Sequence, residues 1–352
     1  MSSSFQNFDT YSIPTTTYSP KFIRGVDTLR FFAALWVVFS HGARFPLEAY
    51  VDPSLGILQT IAVGVSKMAF NGTAAVVVFF IISGFCIHYP NIGKADFSWQ
   101  TFLLRRMIRI GIPLMGIIAA TTLAGPEYTE ALDRVLWSVY CEIVYYLLYP
   151  VIFVVATRWS MSAVLAGSAA ISFCMLIMYP NTVYLWEFGT GFTWLFCAPF
   201  WLAGSWLATQ VRNVRRFPRL VSIWIWRGAF VFGCMTTTVV AHHLPFHVGY
   251  TWTMPVFTVF CTAWLWVELA RWEERAPVVL WEKLGALGYS IYLVHRPVIE
   301  YFTMNWRDVE PTVAWVVKLL AVFLLSAAFY KIIEKPSHNT AKKFQFRKAA
   351  TV

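Results

Sequence analysis

Long apolar stretches follow one another along almost the whole chain, broken only by short polar or charged loops. A bilayer core takes about 20 predominantly apolar residues per helical crossing. Only helices or closed barrels satisfy their backbone groups there. Ten runs meet the helical length: Val26–Gly42, Ala69–Tyr89, Ile108–Ala124, Val135–Ala156, Ser160–Tyr179, Phe192–Val211, Leu220–Ala241, Tyr250–Ala270, Leu284–Met304 and Thr312–Ile333. The third is the shortest and carries Pro113. Composition agrees, with 58% hydrophobic and only 13% charged residues, against roughly 25% charged in a soluble domain. The expected fold is an all-α polytopic membrane helical bundle of about ten transmembrane helices.

Loop charge supplies an orientation. With both termini cytoplasmic, the outside segments hold only Arg44, Lys67, Arg134 and Arg307, and the inside segments hold twenty Lys and Arg. Such a bias is the positive-inside pattern. It also accounts for the net charge of +10 without nucleic acid as a partner. Three segments are expected: a disordered cytoplasmic tail over 1–21, a membrane domain over 22–335, and a basic cytoplasmic tail over 336–352. A multi-pass protein of the inner (plasma) membrane follows, with membrane lipids around it and homo-oligomerisation left open. The six cysteines lie within apolar runs without metal spacing, and read as small buried hydrophobes.

Ionisable groups inside a bilayer are costly, so each is a functional candidate. The first run carries Asp27, Arg30 and His41. Asp27 and Arg30, three apart, can pair on one helical face. Arg30 and His41, eleven apart, share a face at a separation of about 16 Å. The fourth run carries Glu142, and depth along the two helices places it near His41, where a carboxylate would orient a general-base histidine. An interfacial ion pair and a satisfied interior histidine are the structural alternatives. Arg105, Arg106 and Arg109 converge at the cytoplasmic end of the third run. Such a cluster suits bidentate phosphate recognition and is equally compatible with ordinary positive-inside charge. Ser138, Tyr289 and His295 are further candidates, on the fourth and ninth runs. Gly72, Ser83 and Gly84 read as small packing residues. The histidines His242, His243 and His247 have spacing compatible with a metal or with a solvated outer loop, and no metal is expected.

Taken in order, the Arg30–His41 spacing, FFIISGF, RRMIRIGIP, WSVYCE, GYSIYLVHRP and IIEKP resemble the acyltransferase-3 family of membrane acyltransferases, which acylate sugars and other hydroxylated acceptors. The resemblance runs from RGVDTLRFFAALWVVFSH to YKIIEKPSHN. It implies about ten membrane helices and an acyl-CoA co-substrate, often acetyl-CoA, with a glycan or lipid-linked sugar as acceptor. By the same resemblance His41 is the essential histidine and Arg30 its paired arginine. Arg106 and Arg109 form the basic pair, with Arg105 beside them, and Glu142 is the glutamate after Trp137 and Ser138. The short segment after the last run points to the stand-alone form of the family. His41 would deprotonate the acceptor hydroxyl directly or first take the acyl group itself. A transporter or flippase for a lipid-linked glycan is the alternative class, and a small-molecule or lipid acceptor the narrower one.

Overall fold

A computed structural model describes residues 24–51, 56–94, 96–213, 221–243 and 248–344. Among these residues the chain is helical and holds no strand. The expectation of an all-α membrane bundle is met. Among the described residues, each of the ten apolar runs lies mostly in helix. Seven helical stretches, among them Trp99–Ala124, Pro126–Arg158 and Met161–Met178, are long and apolar enough to cross a membrane.

In chain order the helices are α1 (Val26–Val38), α2 (Ile57–Ala69), α3 (Gly72–His88), α4 (Trp99–Ala124), α5 (Pro126–Arg158), α6 (Met161–Met178) and α7 (Gly189–Asn213). They continue with α8 (Ile223–His243), α9 (Tyr250–Glu274), α10 (Val279–Gly285), α11 (Gly288–Asn305), α12 (Pro311–Phe329) and α13 (Lys335–Lys343). Side-chain caps start several of them. The Asn71 carboxamide accepts from the Ala74 amide at 3.1 Å, and Ser160 accepts from Ala163 at 3.1 Å. Pro126 and Pro311 occupy first turns, where no amide donor is needed.

Four boundaries differ from the sequence reading. The first run leaves α-helix after Val38 and finishes as a π-helical turn over Phe39–Ala43. The third begins at Trp99 and continues through Pro113, which places the arginine cluster inside α4. The fourth begins at Pro126, nine residues before its apolar start. The ninth divides into α10 and α11. At the far end, part of the segment expected as a basic tail is the packed helix α13. Its Ser337 hydroxyl donates to the Ile108 carbonyl at 2.6 Å, and Ala341 is buried. Residues 345–352, the tail over 1–21, and the basic loop 214–220 lie outside the described residues.

The tightest crossing joins α3 to α7 and is reciprocal. A Cβ added at Gly84 would come within 1.9 Å of the Trp201 carbonyl oxygen, and one at Gly204 within 1.8 Å of the Ile81 carbonyl oxygen. The Ser205 hydroxyl bonds the Gly84 carbonyl at 3.2 Å across the same gap. Lipid tails give no hydrophobic drive for helices to associate, so close backbone approach through small residues takes its place. Neither contact can be relieved by rotating a side chain. Gly84→Val is therefore expected to destabilise the bundle by about 3 kcal/mol or more, read as a large drop in melting temperature in detergent.

Candidate active site

The π-helical turn that ends the first helix sets the site. His41 sits there with non-helical backbone angles (φ −97°, ψ 23°), and Gly42 follows at φ +97°. That conformation suits glycine alone among ordinary residues, and it swings His41 out of the helical register. The first residue of α3 backs the turn: a Cβ at Gly72 would meet the Ser40 hydroxyl at 2.5 Å and the His41 ring at 3.8 Å. Gly72 thus serves the histidine as well as packing.

His41 meets a second histidine rather than a carboxylate. Its Nδ1 lies 3.1 Å from Nε2 of His295, which is fully buried on α11. The Nδ1 of His295 lies 2.7 Å from the Tyr292 carbonyl oxygen. A carbonyl only accepts, so His295 carries its proton on Nδ1 and offers a lone pair at Nε2. His41 then donates from Nδ1, which in the neutral ring leaves the lone pair on Nε2; the Val37 carbonyl is a further hydrogen-bond partner of the ring. The Tyr292 carbonyl sets the His295 tautomer, and the contact with His295 sets that of His41.

The chain of supports continues outward from α11. The Tyr292 hydroxyl donates to the Val135 carbonyl at 2.7 Å and meets the Ser138 hydroxyl at 2.7 Å. Ser138 of WSVYCE therefore reaches His295 through Tyr292. Arg296, next in sequence to His295, lies within electrostatic reach of His41. It forms a loose ion pair with Glu300 at 3.8 Å, and its buried Nε has no hydrogen-bond partner.

Glu142 belongs to a different layer, and its expected place beside His41 is corrected. Its carboxylate accepts from the Ser83 hydroxyl at 2.6 Å and from the Tyr146 hydroxyl. Trp201 Nε1 donates to the same Ser83 at 3.2 Å. Ser83 lies eleven residues along α3 from Gly72, about 16 Å from the level of His41. The sequence-based depth failed because α5 begins at Pro126, so Glu142 is ~24 Å into the helix rather than near its start. The carboxylate faces the arginines instead. Arg30 and Arg106 both lie within electrostatic reach of Glu142, Tyr146 and Cys86.

Arg30 and Asp27 do meet, with Nη1 to Oδ1 at 2.5 Å, and Arg30 also donates to the Cys86 sulfur at 3.1 Å. Arg106 stands over the rings of Phe102 and Tyr146, 5.7 Å from each centroid. Tyr289 is not part of the histidine group: its hydroxyl donates to the Ile110 carbonyl at 3.2 Å. Next to it, the Ser290 hydroxyl donates to the buried Glu334 of IIEKP at 2.5 Å. His242 meets the Tyr250 hydroxyl at 3.2 Å. The His243 side chain and His247 lie outside the described residues.

Beyond Arg106 the bundle opens. A cleft of about 370 Å³ lies between the start of α4, the turn before it, and α13; Arg105, Arg106 and Arg109 line it. Two polar layers therefore occupy opposite parts of one bundle. A histidine pair lies where α1 ends, and the cationic cleft, with the half-buried Glu142 near Arg106, lies where α1 begins.

Residues 23–331 match the acyltransferase-3 family model, described as an acyltransferase domain. The chain belongs to this family. No curated protein and no solved structure matches it. The match takes in the histidine pair, Glu142 and the arginines of α4, and stops before α13. The acyltransferase-3 chain is thus a multi-pass helical membrane protein with a family assignment to acyl transfer. Sequence reasoning had missed Ser83 as a hydrogen-bonding group, together with Tyr146, Cys86 and Trp201. The motif FFIISGFC contained two of these, but its apolar character pointed to packing alone.

Proposed function

We propose that this protein is an integral membrane O-acyltransferase. It carries an acyl group, most simply acetyl, from cytoplasmic acyl-CoA to a hydroxyl of an extracytoplasmic or lipid-linked glycan. The observation that supports this reading is the His41–His295 pair, with the His41 lone pair on Nε2, in the same bundle as a cationic cleft. The positive-inside bias supports placing the cleft at the cytoplasmic face of a plasma membrane. A count of ten crossings with both termini inside is consistent with that placement.

In this reading the CoA phosphates bind Arg105, Arg106 and Arg109, and the pantetheine arm extends past Arg30 toward His41. The Arg30–His41 separation of about 16 Å suits an extended arm. Arg30 is held by Asp27 and Cys86 at the far level, so it guides the arm and does not stabilise the reacting carbonyl. The acceptor hydroxyl approaches from the other side. His41 Nε2 takes its proton while the oxygen attacks the thioester carbonyl. Collapse of the tetrahedral adduct expels the CoA thiolate, which recovers the proton from His41. Arg296, whose charge reaches both histidines, is the cation assigned to the oxyanion.

The deciding experiment supplies purified protein with labelled acetyl-CoA and lipid-linked glycan from host membranes, in detergent without any ion gradient. The expected result is label in the glycan, at one acetyl per modified hydroxyl. Gradient-dependent movement of the glycan with no transfer of label would favour a flippase instead and overturn the proposal.

A further inference from the structure

Helix α13 lies beyond the family match, which ends at residue 331, yet it forms one wall of the cationic cleft. His338 and Lys342 line that wall. The helix is anchored there by contacts already described and by one more, in which Arg105 Nε donates to the Phe344 carbonyl at 2.8 Å. This last bond turns Arg105 toward α13. The cleft consequently gathers cations from three segments: Lys94 from the turn before α4, the arginines of α4, and Lys342. Asp96 is the carboxylate on the same lining.

These cations occupy two tiers. Arg106 lies within the bundle, stacked on Phe102 and Tyr146 and coupled to Arg109. Lys342 and Lys94 are exposed at the rim, and Arg105 is tied to the rim through Phe344. A single phosphate needs one tier. A ligand with two separated anionic groups needs both, in a fixed order along the path into the bundle. Acyl-CoA has that order. Its thioester arm must lead inward, its diphosphate follows, and its ribose 3′-phosphate comes last and stays outermost.

We infer that α13 is a nucleotide-reading wall, in which Lys342, with Arg105 beside it, binds the 3′-phosphate of the CoA donor. The inference rests on the acyl-CoA reading above and adds to it a discrimination between CoA and dephospho-CoA. These two molecules differ only in that phosphate. A charge-assisted contact with a phosphate at a partly exposed site corresponds to about a tenfold difference in affinity.

The test measures binding of CoA and of dephospho-CoA by calorimetry to the full chain in uncharged-lipid nanodiscs. Wild type is expected to bind CoA about tenfold more tightly. Lys342→Ala should lose that preference by weakening CoA alone, and Lys342→Arg should restore it. Equal affinity of wild type for the two ligands, or an unchanged preference in Lys342→Ala, overturns the role of α13 and leaves the donor reading standing. Equal weakening of both ligands by Lys342→Ala also overturns it, because α13 would then only shape the cleft. Binding of neither ligand by wild type overturns the donor reading itself. Repeating wild type in nanodiscs with anionic lipid covers the remaining source of phosphate: complete displacement of CoA would make the cleft a headgroup site and overturn the inference. A melting curve for each variant, with Lys342→Gln as a second neutral replacement, separates lost recognition from lost folding.

Discussion

Replacing His41 with alanine is expected to lower the acyl-transfer rate about 10³-fold while leaving the melting temperature and CoA binding close to wild type. The magnitude is that of a positioned general base. The side chain is half-buried and comes from a turn rather than from the helix core, so its removal leaves a small void. More informative are replacements at His295, which does not present a free lone pair of its own. His295→Gln retains an acceptor for the His41 Nδ1 proton, and a loss of about tenfold is expected from imperfect placement. His295→Leu removes that acceptor and leaves the Val37 carbonyl as the remaining partner of the His41 ring, which can then adopt the tautomer with its proton on Nε2. That tautomer cannot accept from a hydroxyl, so a loss of about 10²-fold or more follows. Steady-state rates at saturating acetyl-CoA, with a melting curve for each variant, distinguish the two. Equal losses for the glutamine and leucine variants would show that His295 acts by packing alone.

The helices and one of the polar layers were legible in the sequence because both depend on local spacing. Apolar length marks a membrane helix, and three residues bring Asp27 to Arg30 on one face. The arginines of α4 were legible as a cluster for the same reason. Their position inside the helix was not, because the first turns of α4 mix cations with apolar residues and hide its start at Trp99. The His41–His295 contact joins residues 254 apart, and no periodicity within α1 or α11 encodes it. Its geometry further depends on the π-helical turn at Phe39–Ala43, where the sole local sign is a glycine after the histidine. A depth argument from apolar boundaries also has a limit. It assumes that a helix begins where its apolar run begins. In α5 the first nine residues are polar enough to conceal more than two turns, and Glu142 moved to the other layer as a result.

That relocation changes what loss of Glu142 should do. A carboxylate orienting His41 would, on removal, lower the turnover rate and leave donor affinity intact. A carboxylate among Arg30, Arg106, Ser83 and Tyr146 has the opposite signature. Removing it in Glu142→Ala leaves two guanidinium groups without their shared counter-charge and two hydroxyls without their acceptor. Stranding such partners inside a bundle costs about 2–3 kcal/mol, so a clear fall in melting temperature is expected. Glu142→Gln keeps an acceptor oxygen for Ser83 and Tyr146 and removes only the charge. It should fold nearly as well as wild type, with a changed KM for acetyl-CoA and a turnover rate within a few-fold. The split between KM and kcat is the diagnostic, since both variants leave the His41–His295 geometry untouched. If Glu142→Gln lowered kcat as far as His41→Ala with an unchanged KM, the carboxylate would be acting at the histidines, and the two-layer arrangement would be wrong.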